Sequence, residues 1–398
     1  MTDLPLSGLR IVSVEQYGAG PFGTQHLADL GAEVIKIENF KDGGDISRNV
    51  GPYFLEPGDS HFYEAFNRNK RSLALDLKAP EARDVFLKLV KTSDAVFNNL
   101  RGDLPAKLGL DYAGLSPINP KIVCVHLSAY GRTGSRAAWP GYDYLMQAEA
   151  GYLSLTGEPD GPPSRCGISI IDLMTGTTSA MGLLAGVLQA QKTGRGRDID
   201  VSLYDVALHN VLYLGNWYLN VGAVTGREPN SSHPSLTPSQ LYRTADGWIF
   251  IMCNKEKFWQ TLAHMLGHPE WATDPEFATF AARLKNRPRV NQAVEQALKP
   301  HTTAEWLAKF AGKVPAAPVY NVAEALDNEF AREQERIVKF MHPVHGAILG
   351  IASPVRVQDA TLPTAAAPAM GADTEALLTG LGYSAKDIVQ LRERAVVK

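Results

Sequence analysis

Short β-branched runs alternate with helical stretches through the first third of the chain, and this alternation restricts the fold more than any other feature of the sequence. Leu9–Val14 reads as a strand, Thr24–Leu30 as a helix ending at Gly31, and Glu33–Ile37 as a second strand. Arg71–Leu77 is a third, followed by a helix from Glu81 to Lys91 that carries Val85, Leu87, Leu89 and Val90; Asp94–Asn98 and Ile122–Leu127 supply two more strands. A β-α-β rhythm of this kind predicts an α/β fold with a parallel sheet and helices on its faces. Ligands of such sheets gather at the carboxyl ends of the strands. A stretch rich in small residues follows Asp172, and Thr193-Gly194-Arg195-Gly196 turns into a further strand over Asp198–Tyr204. From about residue 225 the texture changes to polar, Pro-containing sequence, then Trp248–Met252 and helical patterns through 310, which reads as a smaller domain. Beyond about 330 the segments Ala376–Leu378 and Ile388–Leu391 read as completing the first sheet domain.

With 398 residues the chain is long enough for two domains and an ample core. An apolar fraction of 45% with 20% charged residues is that of a globular protein. The net charge of −3 offers no basic footprint for nucleic acid, so any anionic ligand has to be met locally. Met1–Pro5 lacks the basic start of a leader peptide, and no uninterrupted apolar run approaches membrane-spanning length. A cytoplasmic protein with no membrane partner is expected. Cys124, Cys166 and Cys253 are odd in number, widely spaced and outside any C-x-x-C pattern, so neither disulfides nor a metal knuckle is expected.

Gly18-Ala19-Gly20-Pro21-Phe22-Gly23 matches G-x-G-x-x-G after a predicted strand, and Glu38 ends the next strand. This is a dinucleotide fingerprint, in which glycines admit a pyrophosphate and the acid binds a ribose. Pro21 removes one N–H from that cradle, and Pro after a glycine turn is equally a good helix start, so local physics leaves both readings open. His342 and His345 are the closest histidine pair; Pro343 between them disfavours a shared helix face, and both read as surface residues. Met174 and Met181 read as core. Lys36, Lys41, Arg71, Lys78 and Lys107 are solvated charges unless the fold collects them around phosphates. In Gly167-Ile168-Ser169-Ile170-Ile171-Asp172-Leu173-Met174-Thr175-Gly176, Asp172 by itself reads as a helix cap.

Four segments in order resemble the class III CoA-transferases, the formyl-CoA and carnitine-CoA transferase family, whose relatives include α-methylacyl-CoA racemases. They are Leu4–Val12, Ala28–Glu38, Phe66–Leu77 and Thr193–Leu203, and the likeness continues through Ala317-Pro318-Val319 to Leu378–Gly382. The resemblance implies a Rossmann-like CoA-binding domain built from residues 1–200 and 330–398, a linker over 201–224, a smaller α+β domain over 225–329, and an interlocked homodimer. It implies a CoA groove lined by Gly18, Asn39, Leu75, Lys78, Asn99 and Lys107, with Tyr142 and Asp143 facing the reaction centre. Some relatives carry an arginine at the place of Asn39 and a longer polar side chain at Gly18, which moves the expected phosphate contacts to Lys36, Lys41 or Arg71. The glycine-rich flap of formyl-CoA transferases has no counterpart here; Asn230–Thr237 stands in that region.

Asp172 falls where the transferases hold a nucleophilic aspartate. A carboxylate can attack an acyl-CoA thioester and conserve the acyl group as an anhydride. The apolar Ile170-Ile171 pair would limit water, and the helix dipole is expected to keep the acid ionised while nearby N–H groups hold an oxyanion. Racemases of this family place a histidine in a G-H-D motif; here Gly141-Tyr142-Asp143 has a tyrosine, whose reference pKa of about 10 suits proton abstraction poorly. The expected activity is therefore CoA transfer from an acyl-CoA, succinyl-CoA for preference, to a small carboxylic or dicarboxylic acid. CoA thioesters enter as substrates, with no permanent cofactor and no metal. The ordered alternatives are an α-methylacyl-CoA racemase, an NAD-dependent oxidoreductase using the glycine loop, and a CoA-binding protein without catalysis.

Overall fold

Six parallel strands, β1 (Arg10–Val14), β2 (Glu33–Glu38), β3 (Arg71–Ala74), β4 (Ala95–Asn98), β5 (Val123–Ser128) and β6 (Arg197–Ser202), form one sheet in the order β3-β2-β1-β4-β5-β6. The computed structural model describes residues 4–398; Met1–Asp3, the start of the segment read above for a leader, lie outside the described residues. The sheet belongs to a unit made of the chain up to Ala150, Gly167–Leu212 and Glu333–Lys398. β1 is central, Ile11 standing opposite Val34 on one side and Ala95 on the other. Strand order reverses between β1 and β4, the place where an open parallel sheet leaves a crevice at its carboxyl edge.

The central strands are buried on both faces, Ile11, Val12, Val34, Ile35, Val96 and Phe97 being fully buried, whereas the edge strand β6 alternates polar and apolar residues and is partly exposed. On one face Val12, Ile35, Leu73, Val96 and Cys124 pack with Val85, Phe86 and Leu89 of the helix Ala82–Lys91. Each fully buried side chain of this kind contributes about 1.5–3 kcal/mol. The same cluster takes in Leu377, Leu378, Ile388 and Leu391 from the two helices Thr374–Gly380 and Ala385–Glu393. These segments therefore complete the core as helices, and the chain meets the sheet on either side of them: Asp373 donates its N–H to the Ser72 carbonyl, Val397 bridges Leu75 in antiparallel sense, and Asp76 donates its N–H to the Val396 carbonyl. Val396 and Val397 are both buried.

Three helices set up the cleft. These are α1 (Ala19–Asp29), α2 (Asp143–Glu149) and α3 (Ile170–Thr193). α3 is long and apolar enough, by length and composition alone, to cross a membrane, which departs from the expectation that no run would be. Its small residues explain the composition differently: Thr175, Gly176, Ser179, Ala180 and Leu183 are buried, and α3 lies against α1 at backbone distance. A Cβ on Gly23 would stand 2.4 Å from the Gly176 carbonyl oxygen, so neither glycine of this crossing tolerates a side chain.

The second unit, Gly151–Cys166 with Tyr213–Arg332, holds a three-stranded antiparallel sheet of Ser239–Arg243, Trp248–Met252 and Ala316–Pro318. Its core gathers Tyr242, Ile249, Ile251, Trp259, Leu262, Val290 and Phe310. The fully buried Arg283 is satisfied there by the carbonyls of Thr237 and Phe277 and the Glu256 carboxylate. Unpaired, it would be prohibitively costly.

Candidate active site

The loop after β1 sits at the switch point, fastened from beneath by buried charges. Lys36, in the middle of β2, points a fully buried ammonium at Asp45 (2.7 Å) and at the Glu15 carbonyl oxygen (3.0 Å). Lys70 donates to Glu15 Oε1 at 2.9 Å, and burial pushes its pKa down to about 8. Asn99, just beyond β4, grips Gln16 reciprocally: its Oδ1 accepts the Gln16 N–H (3.0 Å) and its Nδ2 donates to the Gln16 carbonyl (2.7 Å). Tyr17 donates its N–H to Asp45 Oδ1 at 3.0 Å and adopts φ 71°, a left-handed conformation that costs a bulky residue roughly 1–3 kcal/mol.

The glycine motif acquires a reason that differs from the nucleotide one. A Cβ on Gly18 would lie 2.9 Å from Asp172 Oδ2, and one on Gly20 would lie 3.0 Å from the Asn99 side chain. Gly23 makes the α1–α3 crossing described above. Glu38, the acid required to hold a ribose, is buried and fully engaged: it accepts from Arg48 Nε (2.8 Å) and Nη2 (2.7 Å), from Ser72 Oγ (2.7 Å) and from the Asp45 N–H (3.0 Å). The dinucleotide reading loses its acid.

Asp172, in the first turn of α3, lines a cleft of about 250 Å³ together with Gly18, Asn99 and Tyr142. It is 8% exposed, and burial, reinforced by the Asp143 carboxylate, pushes its pKa up to about 7. Desolvation thus works against the helix end, whose dipole favours the ionised form by only about 0.3–1 kcal/mol, and the acid is partly protonated near neutrality. Two of the amides nearest the carboxyl are already occupied. Asp143 Oδ2 accepts the N–H groups of Ile171 (2.6 Å) and Asp172 (2.9 Å), and its Oδ1 accepts Gln147 Nε2 (2.5 Å). Asp143 is therefore a buried cap for α3 rather than a group facing the cleft.

The remaining expected residues divide. Tyr142, the residue before α2, is 65% exposed at the cleft. Asn39 and Asn99 line an adjoining groove with Asp42, Gly44 and Leu100, at the ends of β1, β2 and β4. Leu75 is fully buried in the sheet cluster, so its side chain does not line a groove. Lys78 and Lys107 extend into solvent, near Asp42 (3.8 Å) and Asp103 (2.7 Å). Of the three alternative phosphate contacts, Lys36 is committed to Asp45, and Arg71, at the opposite end of its strand, to Glu33 and Asp373. Lys41 remains half-exposed beside Asp76 (2.8 Å). The cleft also contains Gln16, Tyr17, Arg101 and Trp139, which the sequence reading did not single out. Position just after a predicted strand was the only signal for Gln16 and Tyr17.

Away from the cleft, Asp59, Glu64 and His342 bring ligand-type atoms within 4.8 Å of one another. His342 is buried, contrary to its expected surface position. Its Nδ1 accepts the N–H groups of Val344 (3.2 Å) and His345 (3.0 Å), so its proton sits on Nε2 and is donated to Asp59 Oδ2 (2.9 Å). That tautomer leaves no ring nitrogen for a metal. Burial and Asp59 push the Glu64 pKa up to about 7, while the Ala367 N–H opposes the rise. Asp59 Oδ1 and Glu64 Oε1 are buried with no donor of their own, and a proton held on Glu64 would supply one.

Residues 6–374 match CoA-transferase family III, and the chain belongs to this family of enzymes. It is 37% identical to a succinate–glutarate CoA-transferase of Agrobacterium fabrum, over 81% of this chain and 83% of that protein. It is 32% identical to a succinyl-CoA:mesaconate CoA-transferase of Haloarcula hispanica, over 90% of this chain and 91% of the other. The crystal structure of a CAIB/BAIF family protein from Brucella suis superimposes with a TM-score of 0.82 at 31% identity, covering 96% of this chain and all of that one (100%).

Proposed function

We propose that the enzyme transfers CoA from succinyl-CoA to a small dicarboxylic acid, with Asp172 as covalent nucleophile. The observation that carries this is a largely buried carboxylate at the head of α3 that lines the cleft, with the chain opposite reduced to glycine so that a substrate carbonyl can approach. The names of the relatives, with succinyl-CoA or succinate paired with glutarate or mesaconate, support the substrate class.

In this mechanism an Asp172 oxygen attacks the thioester carbonyl. The C–S bond breaks, CoA leaves as thiolate, and a succinyl–aspartyl anhydride remains. The thiolate attacks the aspartyl carbonyl and expels succinate, giving an aspartyl–CoA thioester. The acceptor carboxylate displaces the thiolate and forms a second anhydride. The thiolate then takes the new acyl group, and Asp172 returns as carboxylate with no net proton change. Every intermediate is open to hydrolysis, so a buried nucleophile is an advantage, and a carboxylate stripped of water is also the more reactive one. The cost is partial protonation near neutrality, and turnover should rise with pH through about 7.

The racemase alternative gains nothing from the site, since Asp143 spends both oxygens on hydrogen bonds and no histidine stands at 142. The adjoining groove of Asn39 and Asn99, with Lys41 and Lys78 near its rim, suits the nucleotide part of CoA. The reading includes a cytoplasmic homodimer. The helix Leu212–Val221 has no buried residue, and Leu219, Val221 and Val224 are all more than three-quarters exposed, an apolar surface that a second copy would cover. A monomeric mass by light scattering would contradict that part.

The test of the chemistry is trapping. After incubation with succinyl-CoA, hydroxylamine should convert Asp172 to its hydroxamate, seen by peptide mass spectrometry, and Asp172→Ala should be unlabelled and inactive. Full transfer activity in Asp172→Ala would remove the proposed nucleophile.

A further inference from the structure

Tyr17 is held in a conformation that glycine would adopt without strain, and a tyrosine standing there calls for a use of its side chain. The backbone on either side is fixed. Gln16 is gripped by Asn99, the Tyr17 N–H is bound to Asp45, and Asp45 is itself held by the buried ammonium of Lys36. Gly18 follows with its open side turned to Asp172. The ring direction is set accordingly: it rests against Phe62 with centroids 5.2 Å apart and forms part of the wall that also holds Asp172 and Tyr142. Burial first, then the charge of Asp172, hold the phenol proton on, so the hydroxyl is a neutral donor.

The surroundings define what that donor can serve. Two carboxylates, Asp172 and Asp143, lie at or just behind the cleft wall, which is unfavourable to a second substrate carboxylate unless donors meet it. Arg101, a cation of the wall, is held by Asp103 at 3.2 Å. We infer that Tyr17 is a specificity-determining residue, whose ring closes the acyl side of the cleft and whose hydroxyl donates to the terminal carboxylate of a dicarboxylic substrate. This rests on the reading of Asp172 as nucleophile. A donor placed for a carboxylate also rejects an acid that ends in a methyl group, because the hydroxyl is then left without a partner.

The test compares glutarate with pentanoate, which share a five-carbon chain and differ in the terminal carboxylate, as acceptors from succinyl-CoA. Wild-type enzyme should prefer glutarate. Tyr17→Phe should lower kcat/KM for glutarate by about tenfold to a hundredfold, chiefly through KM, and leave pentanoate unchanged or improved. Tyr17→Gly, which relieves the backbone strain, should remain folded by thermal unfolding and lose the same preference. A Tyr17→Phe enzyme with the wild-type glutarate-to-pentanoate ratio, or a wild-type enzyme without the preference, overturns the inference. Hydroxylamine trapping separates this from the underlying reading: an unlabelled Asp172 in wild-type enzyme removes both, whereas a labelled Asp172 with an unchanged ratio removes the role of Tyr17 alone.

Discussion

Replacing Asp172 by Asn keeps its shape and removes its charge, and the energetic consequence follows from the buried setting of the carboxyl. Its pKa stands at about 7 in the folded protein against 3.8 for an ordinary aspartate. The folded state holds the proton more tightly, so between those two values the unfolded chain ionises while the folded one does not. Folding stability is then lost as pH rises from about 4 and levels off above about 7. At 1.36 kcal/mol per pH unit the full loss is on the order of 4 kcal/mol, an upper bound for a single group. Asn at 172 escapes it. Urea unfolding followed by circular dichroism should find Asp172→Asn more stable than wild type at pH 8, with an advantage shrinking by about 2–3 kcal/mol at pH 5. The same variant should be inactive and should bind acyl-CoA without forming a covalent adduct. A stability difference independent of pH between 5 and 8 would refute the claim that this carboxyl is held protonated by burial.

Other perturbations separate the parts of the frame. Gly23→Ala places a methyl carbon 2.4 Å from the Gly176 carbonyl, where backbone must move, and should cost several kcal/mol in denaturant unfolding, in line with core overpacking of about 1–3 kcal/mol or more; a wild-type midpoint would contradict the close crossing. Glu64→Gln keeps a donor to Asp59 and cannot ionise. The wild-type protein should lose stability as pH rises toward about 7 because Glu64, buried beside Asp59, then gives up its proton, and the variant should lack that part of the loss. An identical pH dependence in both proteins would mean that burial does not hold a proton on Glu64.

Much of the sheet was legible because parallel strands buried on both faces are dense in β-branched and apolar residues, as Val34, Ile35 and Ile37 or Val123, Val125 and Leu127 are, even with Lys36 and His126 set among them. Ends were less so: the third strand stops at Ala74, where the chain turns to meet Val397, a partner about 320 residues away that no local pattern reveals. Asp172 was found by resemblance, but the pull of burial on its proton was not legible, because the dipole of a helix can be read from sequence and the desolvation of a site cannot. Lys36 illustrates the same limit. Its sequence neighbours gave no sign that Asp45 would bury it, whereas Lys78 and Lys107 are as solvated as isolated lysines generally are. The glycine motif was visible and its purpose was not, since G-x-G-x-x-G records only that side chains are excluded.

The antiparallel bridge between Leu75 and Val397 also sets a timetable. At roughly 5–20 residues per second, a ribosome needs roughly 15 to 60 seconds to travel from one to the other. Throughout that interval the edge of the sheet beside Leu75 lacks its last partner, and the apolar face awaiting Leu377, Leu378, Ile388 and Leu391 stays uncovered. The nascent chain therefore depends on protection during synthesis to a degree that its finished form does not suggest. Stop codons anywhere in the final helices should yield aggregated protein, even though every residue of the proposed active site would already have been made.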